Sequence, residues 1–524
     1  MNSDDPSPTM TRQAALGVVL LFLTVGIAVF GRTVTFGFQS FDDDLLITNN
    51  PIVLNPTLES LKTAFTSYDP ELFVPLTTLS YQVTVVLAGL NAGIFHLINV
   101  FLHIATSLLV VWFLLLLTQK KNLALAAGLL FLIHPVNVEA VAWIAGRKDL
   151  LAGFFAVASL VAYTLYVRIG DRQTFIVSLL LFLLAVLSKP SVLPLPAIFV
   201  LIDLILGRRT FPRSIREQWP SLLIAVIFGL IAIYGKKAAG GSGLSEALLL
   251  SGQAFMLTIG HLFVPIHLSV MYPFLGPVTL RNPAIFLPIV AAAIGMTGVF
   301  LLRRRSPWTV FWLASALILF VPGLFNAHKT GGPYITSDRY VYLPLIFFAA
   351  AVVQGWSSSM IHFRVSSGYR SAFVTALFLL LILLSFARVP VWENGITLFT
   401  DVLRVHPDSF IALNNRANAH SLRGEWDAAL ADMQQAAIVA PDLPVVHRNL
   451  SMLFSNLGRM DDAFREADTA LRLNPRSAET YYEIGTLFRI LGNEAKSKDA
   501  FRNAYTLNPE YVLKQLDRAT IERR

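Results

Sequence analysis

Long apolar stretches recur along the first three quarters of the chain and stop near residue 390. A bilayer crossing needs about 20 mostly apolar residues. Such stretches run near 14–34, 95–118, 122–140, 150–167, 173–188, 190–207, 219–235, 283–302, 308–325, 340–356 and 371–389. The pattern therefore predicts an all-α membrane bundle of about eleven spans. The stretch 253–273 is long enough to be a twelfth, but it carries His261, Pro265 and His267. It reads as a re-entrant or interfacial helix. The first run lacks a basic segment beyond Arg12 and a small-residue cleavage site, so it reads as an uncleaved anchor.

After residue 391 the pattern changes to short amphipathic helices with a fixed period. Gly424, Gly458 and Gly492 are 34 residues apart, as are Pro441, Pro475 and Pro509. Ala429 matches Ala463, and Ala436 matches Ala470 and Ala504, whereas Ser497 replaces the first of these alanines in the third repeat. Glycine at the turn, small residues where helices cross and proline after the second helix are the tetratricopeptide signature. Pro407 and Trp392 hold the same phase one repeat earlier. The sequence thus predicts a membrane domain over 1–391 and an α-solenoid of about 3.5 repeats over 392–524. The periodic residues serve packing, and a peptide-holding function would use the concave surface.

Charge sharpens the topology. In residues 1–391, 25 Lys and Arg stand against 15 Asp and Glu; in 392–524, 16 stand against 18. The basic balance belongs to loops between spans and argues for orientation, not nucleic-acid binding. With eleven spans and the N-terminus inside, 14 of the 24 Lys and Arg before residue 371 lie inside; with a twelfth span the split is even. The chain has no cysteine, which excludes disulfides, cysteine–zinc sites and a cysteine nucleophile.

Under that topology the polar motifs face outward. The segment 38–55, FQSFDDDLLITNNPIVLN, sets Asp42, Asp43 and Asp44 beside the first span. Adjacent carboxylates can act as a base, hold a divalent cation such as Mg or Mn, or simply be solvated. His96, Asn99 and His103 share one face of the second span, with His134 and Glu139 at the end of the third. These are candidate cavity-lining groups, and packing is the commoner use of such histidines. Arg147, Lys148, Lys189 and Arg339 run against the positive-inside bias, and a lipid phosphate would account for them.

With these motifs in place, the chain resembles the transmembrane and tetratricopeptide-repeat-containing protein O-mannosyltransferases and their bacterial relatives. The matching stretches are FDDDLLITNNP, VPLTTLSYQV, FHLINVFLHIATSLLV, HPVNVEAVAWIAGRKDLLAGFF, LSKPSVLPLPAIFVLIDL and SDRYVYLP. The resemblance implies a GT-C-like glycosyltransferase. It would move a sugar, mannose by family expectation, from polyprenyl phosphate to a Ser or Thr hydroxyl of a protein. It implies Asp43 or Asp42 as base, with Asp43 favoured for its two carboxylate neighbours. Arg147, Lys148, Arg339 and Lys189 would lie around the donor phosphate. The repeats would lie in the periplasm of a bacterial inner membrane, or in the endoplasmic reticulum lumen of a eukaryote, with the N-terminus cytoplasmic. A non-enzymatic envelope scaffold and a transporter are the competing readings, and a transporter would show paired interrupted helices that this sequence lacks.

Overall fold

The computed structural model describes residues 10–68, 72–238, 244–274, 276–324, 328–329, 332–362 and 366–521. The chain divides into two compact units, Met1–Asn394 and Gly395–Arg524. Helix dominates both, and the described strands are one two-residue hairpin pairing His328–Lys329 with Gly332–Pro333.

In the first unit the helix Arg12–Phe30 starts at Thr11, whose hydroxyl accepts from the Ala14 amide, and runs into a tight turn over Gly31–Thr35. The helix Ala92–Thr118 begins at the side-chain cap of Asn91 and packs against Arg147–Ile169, Lys121–Ile133 and Arg12–Phe30. Small residues permit these approaches: a Cβ on Gly128 would stand 2.3 Å from Val111, and one on Gly153 2.5 Å from Tyr342.

Several expected spans are shorter or broken. Among the described residues seven helices are long and apolar enough to cross a membrane, or nine if each of two bent pairs makes one span. The 122–140 stretch is one such pair, bent by 49° where Lys121–Ile133 gives way to Pro135–Ala142. Pro135 has no amide to continue the helix, and its ring blocks the preceding turn. The 219–235 stretch forms the second pair with Phe211–Glu217, at 63°. The helices Arg172–Ser188 and Leu195–Ile205, separated at Pro190, have 17 and 11 residues. At 1.5 Å per residue the longer spans about 26 Å, short of a ~30 Å hydrocarbon core. The expected 340–356 span begins only at Pro344 and continues to His362; it falls outside the seven. Residue 325, closing the expected 308–325 span, lies outside the described residues.

The 253–273 reading needs correction. A 20-residue helix, Leu244–Phe263, starts earlier than the sequence suggested and stops before Pro265, and its Ser245–Phe263 part is one of the seven. Glu246, Ser251 and Gly252 dilute its first half and hid the start. Residues 264–274 are not helical. They pair with the 334–335 segment through the Pro273–Tyr334 bridge and the Ile335 amide on the Tyr272 carbonyl, 2.8 Å.

In the second unit, helix pairs follow the 34-residue period: Phe410–Ser421 with Trp426–Val439, Pro444–Asn456 with Met460–Leu473, and Ala478–Ile490 with Glu494–Leu507. Gly424, Gly458 and Gly492 hold φ of 72°, 73° and 70°, the left-handed turn that glycine adopts without a Cβ penalty. Ser497 is buried where alanine is usual, and its hydroxyl donates to the Gly485 carbonyl at 2.8 Å. Trp392, placed by phase in the half repeat, belongs to the first unit, where it stacks on Trp143 with centroids 6.2 Å apart.

Candidate active site

Four chain segments meet around the turn that joins Val138–Ala142 to Arg147–Ile169. The turn carries Trp143, Ile144, Ala145 and Gly146, all buried. It is held by its own backbone groups. The Asn99 amide nitrogen donates to the carbonyls of Trp143 and Ile144, at 2.9 and 3.3 Å. The Ala145 amide donates to Asp43 Oδ1 at 2.9 Å. A Cβ on Gly146 would lie 2.4 Å from the Ala140 carbonyl oxygen, so glycine is required there. The Trp143 indole N–H donates to the Phe41 carbonyl, 2.9 Å, which fixes the acidic loop against the turn.

That fixing separates the three acids. Asp43 is fully buried, and its second oxygen accepts the Gln39 amide at 2.9 Å. Burial pushes its carboxyl up to about 8, against the Gln39 and Ala145 amide bonds and the nearby Lys148, which favour the anion. Asp44 caps the following turn by accepting the Leu45 amide. Asp42 is half-buried, and its carboxylate makes no hydrogen bond or ion pair with the described residues. Its φ is +67°, a left-handed conformation that costs a non-glycine residue about 1–3 kcal/mol and clusters at functional sites. The structure thus gives the open carboxylate to Asp42, while Asp43, favoured from sequence, has both oxygens engaged on backbone.

The raised Asp43 carboxyl has a consequence for stability. Its ordinary value is 3.8, so between about pH 4 and 8 the unfolded chain has lost this proton while the folded chain keeps it. Stability then falls as pH rises through that window. Thermal unfolding of wild type and Asp43→Asn across pH 5–8 checks this: the variant's curve should be flatter, and parallel curves would refute the assignment.

The expected cations take different roles. Arg147 is fully buried between the rings of Tyr81 and Phe95, 5.0 and 4.9 Å from their centroids. Its guanidinium donates to Asn99 Oδ1, Thr84 Oγ1 and the carbonyls of Ser80 and Phe95. These bonds leave it a structural post and not a phosphate ligand; a charge is visible in sequence, its partners are not. Lys148 and Arg339 share the Trp143 indole, 4.9 and 5.1 Å from its centroid. Arg339 also pairs with Glu139, which accepts its backbone amide at 3.2 Å. Lys189 pairs with Asp149 at 2.5 Å and lies 5.5 Å from the Tyr340 ring. Asp149, Lys189, Ser191, Arg339 and Tyr340 line a cavity of about 40 Å³.

The histidines pack. His103 joins the Tyr342 hydroxyl, 2.9 Å, to the Leu132 carbonyl, 3.0 Å. His96 meets the Gly37 carbonyl at 3.4 Å, and His134 the Leu262 carbonyl at 3.2 Å. Among the described residues no group of three His, Asp or Glu converges to hold a metal. Asp43 is committed to amides, so the triplet does not fit a shared cation. The sequence reading missed Asp149, Trp143, Gln39 and Trp392, whose carbonyl accepts from Gln39 at 2.6 Å. It also missed Tyr272, which donates to Asp338 at 2.7 Å and steadies the loop of Arg339. Asp149 alone had a signal, as the acid next to Lys148 in the AGRKDLL stretch. Of the 326–340 stretch, Asn326, Ala327, Thr330 and Gly331 lie outside the described residues.

These features define a polytopic helical membrane protein with a tetratricopeptide-repeat unit and a buried acid–cation site. Tetratricopeptide repeat models match residues 392–444 and 478–511. The human protein O-mannosyl-transferase TMTC3 is 23% identical, covering 85% of this chain and 55% of its own length. The Caenorhabditis elegans protein O-mannosyl-transferase F38B6.6 is 25% identical, covering 83% and 60%. The chain is a homologue of the TMTC protein O-mannosyl-transferases over most of its length, and it spans about three-fifths or less of those relatives. A solved Archaeoglobus fulgidus oligosaccharyltransferase aligns at 14% identity and a TM-score of 0.39, covering 73% and 55%. A likeness that loose carries no weight here.

Proposed function

We propose that the protein is a membrane glycosyltransferase that moves a sugar, mannose by analogy with the activity named for its relatives, from a polyprenyl phosphate to a Ser or Thr hydroxyl of a protein. The observation that carries this reading is that the open Asp42 carboxylate lies on the loop fastened to Trp143 through Phe41, and the same indole carries Lys148 and Arg339. Asp42 takes the acceptor hydroxyl proton as the oxygen attacks the anomeric carbon. The bond from that carbon to the phosphate oxygen breaks, and polyprenyl phosphate leaves with the electron pair. Lys189, Lys148 and Arg339 stabilise the charge gathering on that phosphate. Attack opposite the leaving group inverts the anomeric centre. Residues 1–391 act as the GT-C-like catalytic domain, and the repeats hold acceptor protein.

The purified protein, incubated with a panel of polyprenyl-phosphate sugars and Ser/Thr peptides, should glycosylate peptide with one of them, read by mass spectrometry. Transfer from none of the panel would sink the reading. The site and the repeats are assigned to the outer side, periplasmic or lumenal. A cysteine at the exposed Leu422 should therefore react with an impermeant thiol reagent applied there, and labelling only from the cytosol would reverse the orientation.

A further inference from the structure

The cavity lined by Lys189 and Arg339 contains an acid that the transfer reaction does not use. Asp149 is buried, and its Oδ1 holds the Lys189 ammonium at 2.5 Å, while its Oδ2, equally buried, has no hydrogen-bond partner. Both residues line the cavity, as does Arg339. A volume of about 40 Å³ holds about three waters and is too small for a sugar phosphate. Entry of a phosphate therefore has to open the Lys189–Asp149 contact. A second anion beside a phosphate site is costly, because like charges at close range in a poorly solvated place repel strongly. Such a group asks for a reason.

Resting on the proposed donor, we infer that Asp149 is a built-in competitor for the phosphate-binding lysine that speeds release of the spent carrier. The charges around the cavity support the assignment. Glu139 offsets Arg339, Asp149 offsets Lys189, and Asp338, buried beside Arg339, stands against Lys148, so the charges there come close to balance. The sugar-bearing donor is a phosphodiester with one negative charge, so it asks the least of a site close to charge balance. The departing polyprenyl phosphate is a monoester, whose second ionisation near pH 6 brings it toward two charges. Asp149 repels each ligand charge about equally, so the dianion bears about twice the penalty of the monoanion. As the sugar leaves, the carboxylate reclaims Lys189 and the monoester is expelled. Replacing Asp149 with a neutral residue would raise the local charge by one unit and favour the product.

Asp149→Asn is the test, since its amide oxygen can still accept from Lys189. With the purified full-length chain, polyprenyl monophosphate should inhibit the variant on the order of tenfold more tightly at pH 7.5, while the donor KM changes less than about threefold. Turnover should slow after a first burst, and Asp149→Glu should restore the wild-type ratio. Equal weakening of donor and product in Asp149→Asn would mark a merely structural residue and overturn the inference. A pH series supplies a second check. Inhibition of the wild type by polyprenyl monophosphate should weaken from pH 5 to pH 8 more steeply than that of Asp149→Asn, since both proteins share the carboxyls of Asp43, Glu139 and Asp338 and differ only at Asp149; equal slopes would overturn the inference. If no polyprenyl phosphate binds wild type or variant, the donor reading itself fails; if it binds with an unchanged ratio, only the role of Asp149 does.

Discussion

Asp42→Asn should lower glycosyl transfer by about 10²–10⁴-fold, the range that a positioned general base contributes, while the protein inserts and purifies normally. Its carboxylate makes no hydrogen bond or ion pair with the described residues, so neutralising it disturbs no contact. Asp43→Asn should behave differently. Its side chain accepts from two backbone amides, and an amide group offers only one oxygen for them. The buried –NH₂ would then face an N–H, leaving an unsatisfied pair that costs about 1–3 kcal/mol. Activity in that variant should fall with loop order, and thermal stability with it. The two variants compared at matched folded fraction decide between the acids: a transfer rate retained in Asp42→Asn and lost in Asp43→Asn would return the base to Asp43.

The second large effect is expected at Arg147. Truncation to alanine leaves the Asn99 oxygen and the Thr84 hydroxyl without this donor, and empties the slot between Tyr81 and Phe95. Lost hydrogen bonds and desolvated cation–π contacts together amount to about 3 kcal/mol or more. Arg147→Lys should rescue little, because one ammonium cannot reach acceptors arranged for a planar fork. Melting of the detergent-purified protein measures this. The donor KM of the fraction that still folds should stay near wild type. A KM raised on the order of tenfold in a fully stable variant would instead restore Arg147 to the phosphate site.

The second unit was open to reading from sequence, because each signal there is local steric necessity. Gly424 sits where φ is positive, Ala429 and Ala463 where helices touch, and Pro441 where a helix has ended. The loops of the site could be picked out for a similar reason, since charges at span ends are conspicuous. Which charge is open was not readable. Arg147 and Lys189 look alike in the sequence, yet one is fixed by Asn99 and helix carbonyls and the other by a carboxylate 40 residues away. Asp42 and Asp43 are neighbours whose environments differ through burial, the Gln39 amide and an amide 102 residues further on. The helix break at Pro135 was under-read because apolar composition continues up to it and length alone suggested an unbroken crossing over 122–140, whereas the break before Pro190 was read and only the late start of the next helix, at Leu195, was not.

The bond from Asp43 to the Ala145 amide also bears on how the chain is made. Ribosomes add about 5–20 residues per second. The first loop therefore waits about 5–20 s after its own synthesis before the Ala145 amide exists. The partner of Glu139 comes 200 residues after that acid, and the carbonyl that receives Gln39 353 residues after it. During that interval the acids of the first loop stay hydrated, and the anchoring helix Arg12–Phe30 must hold its place without them. The site closes from its last-made piece, so a nascent chain cut short of Trp392 would carry every acid and cation of the centre and still lack its final tie.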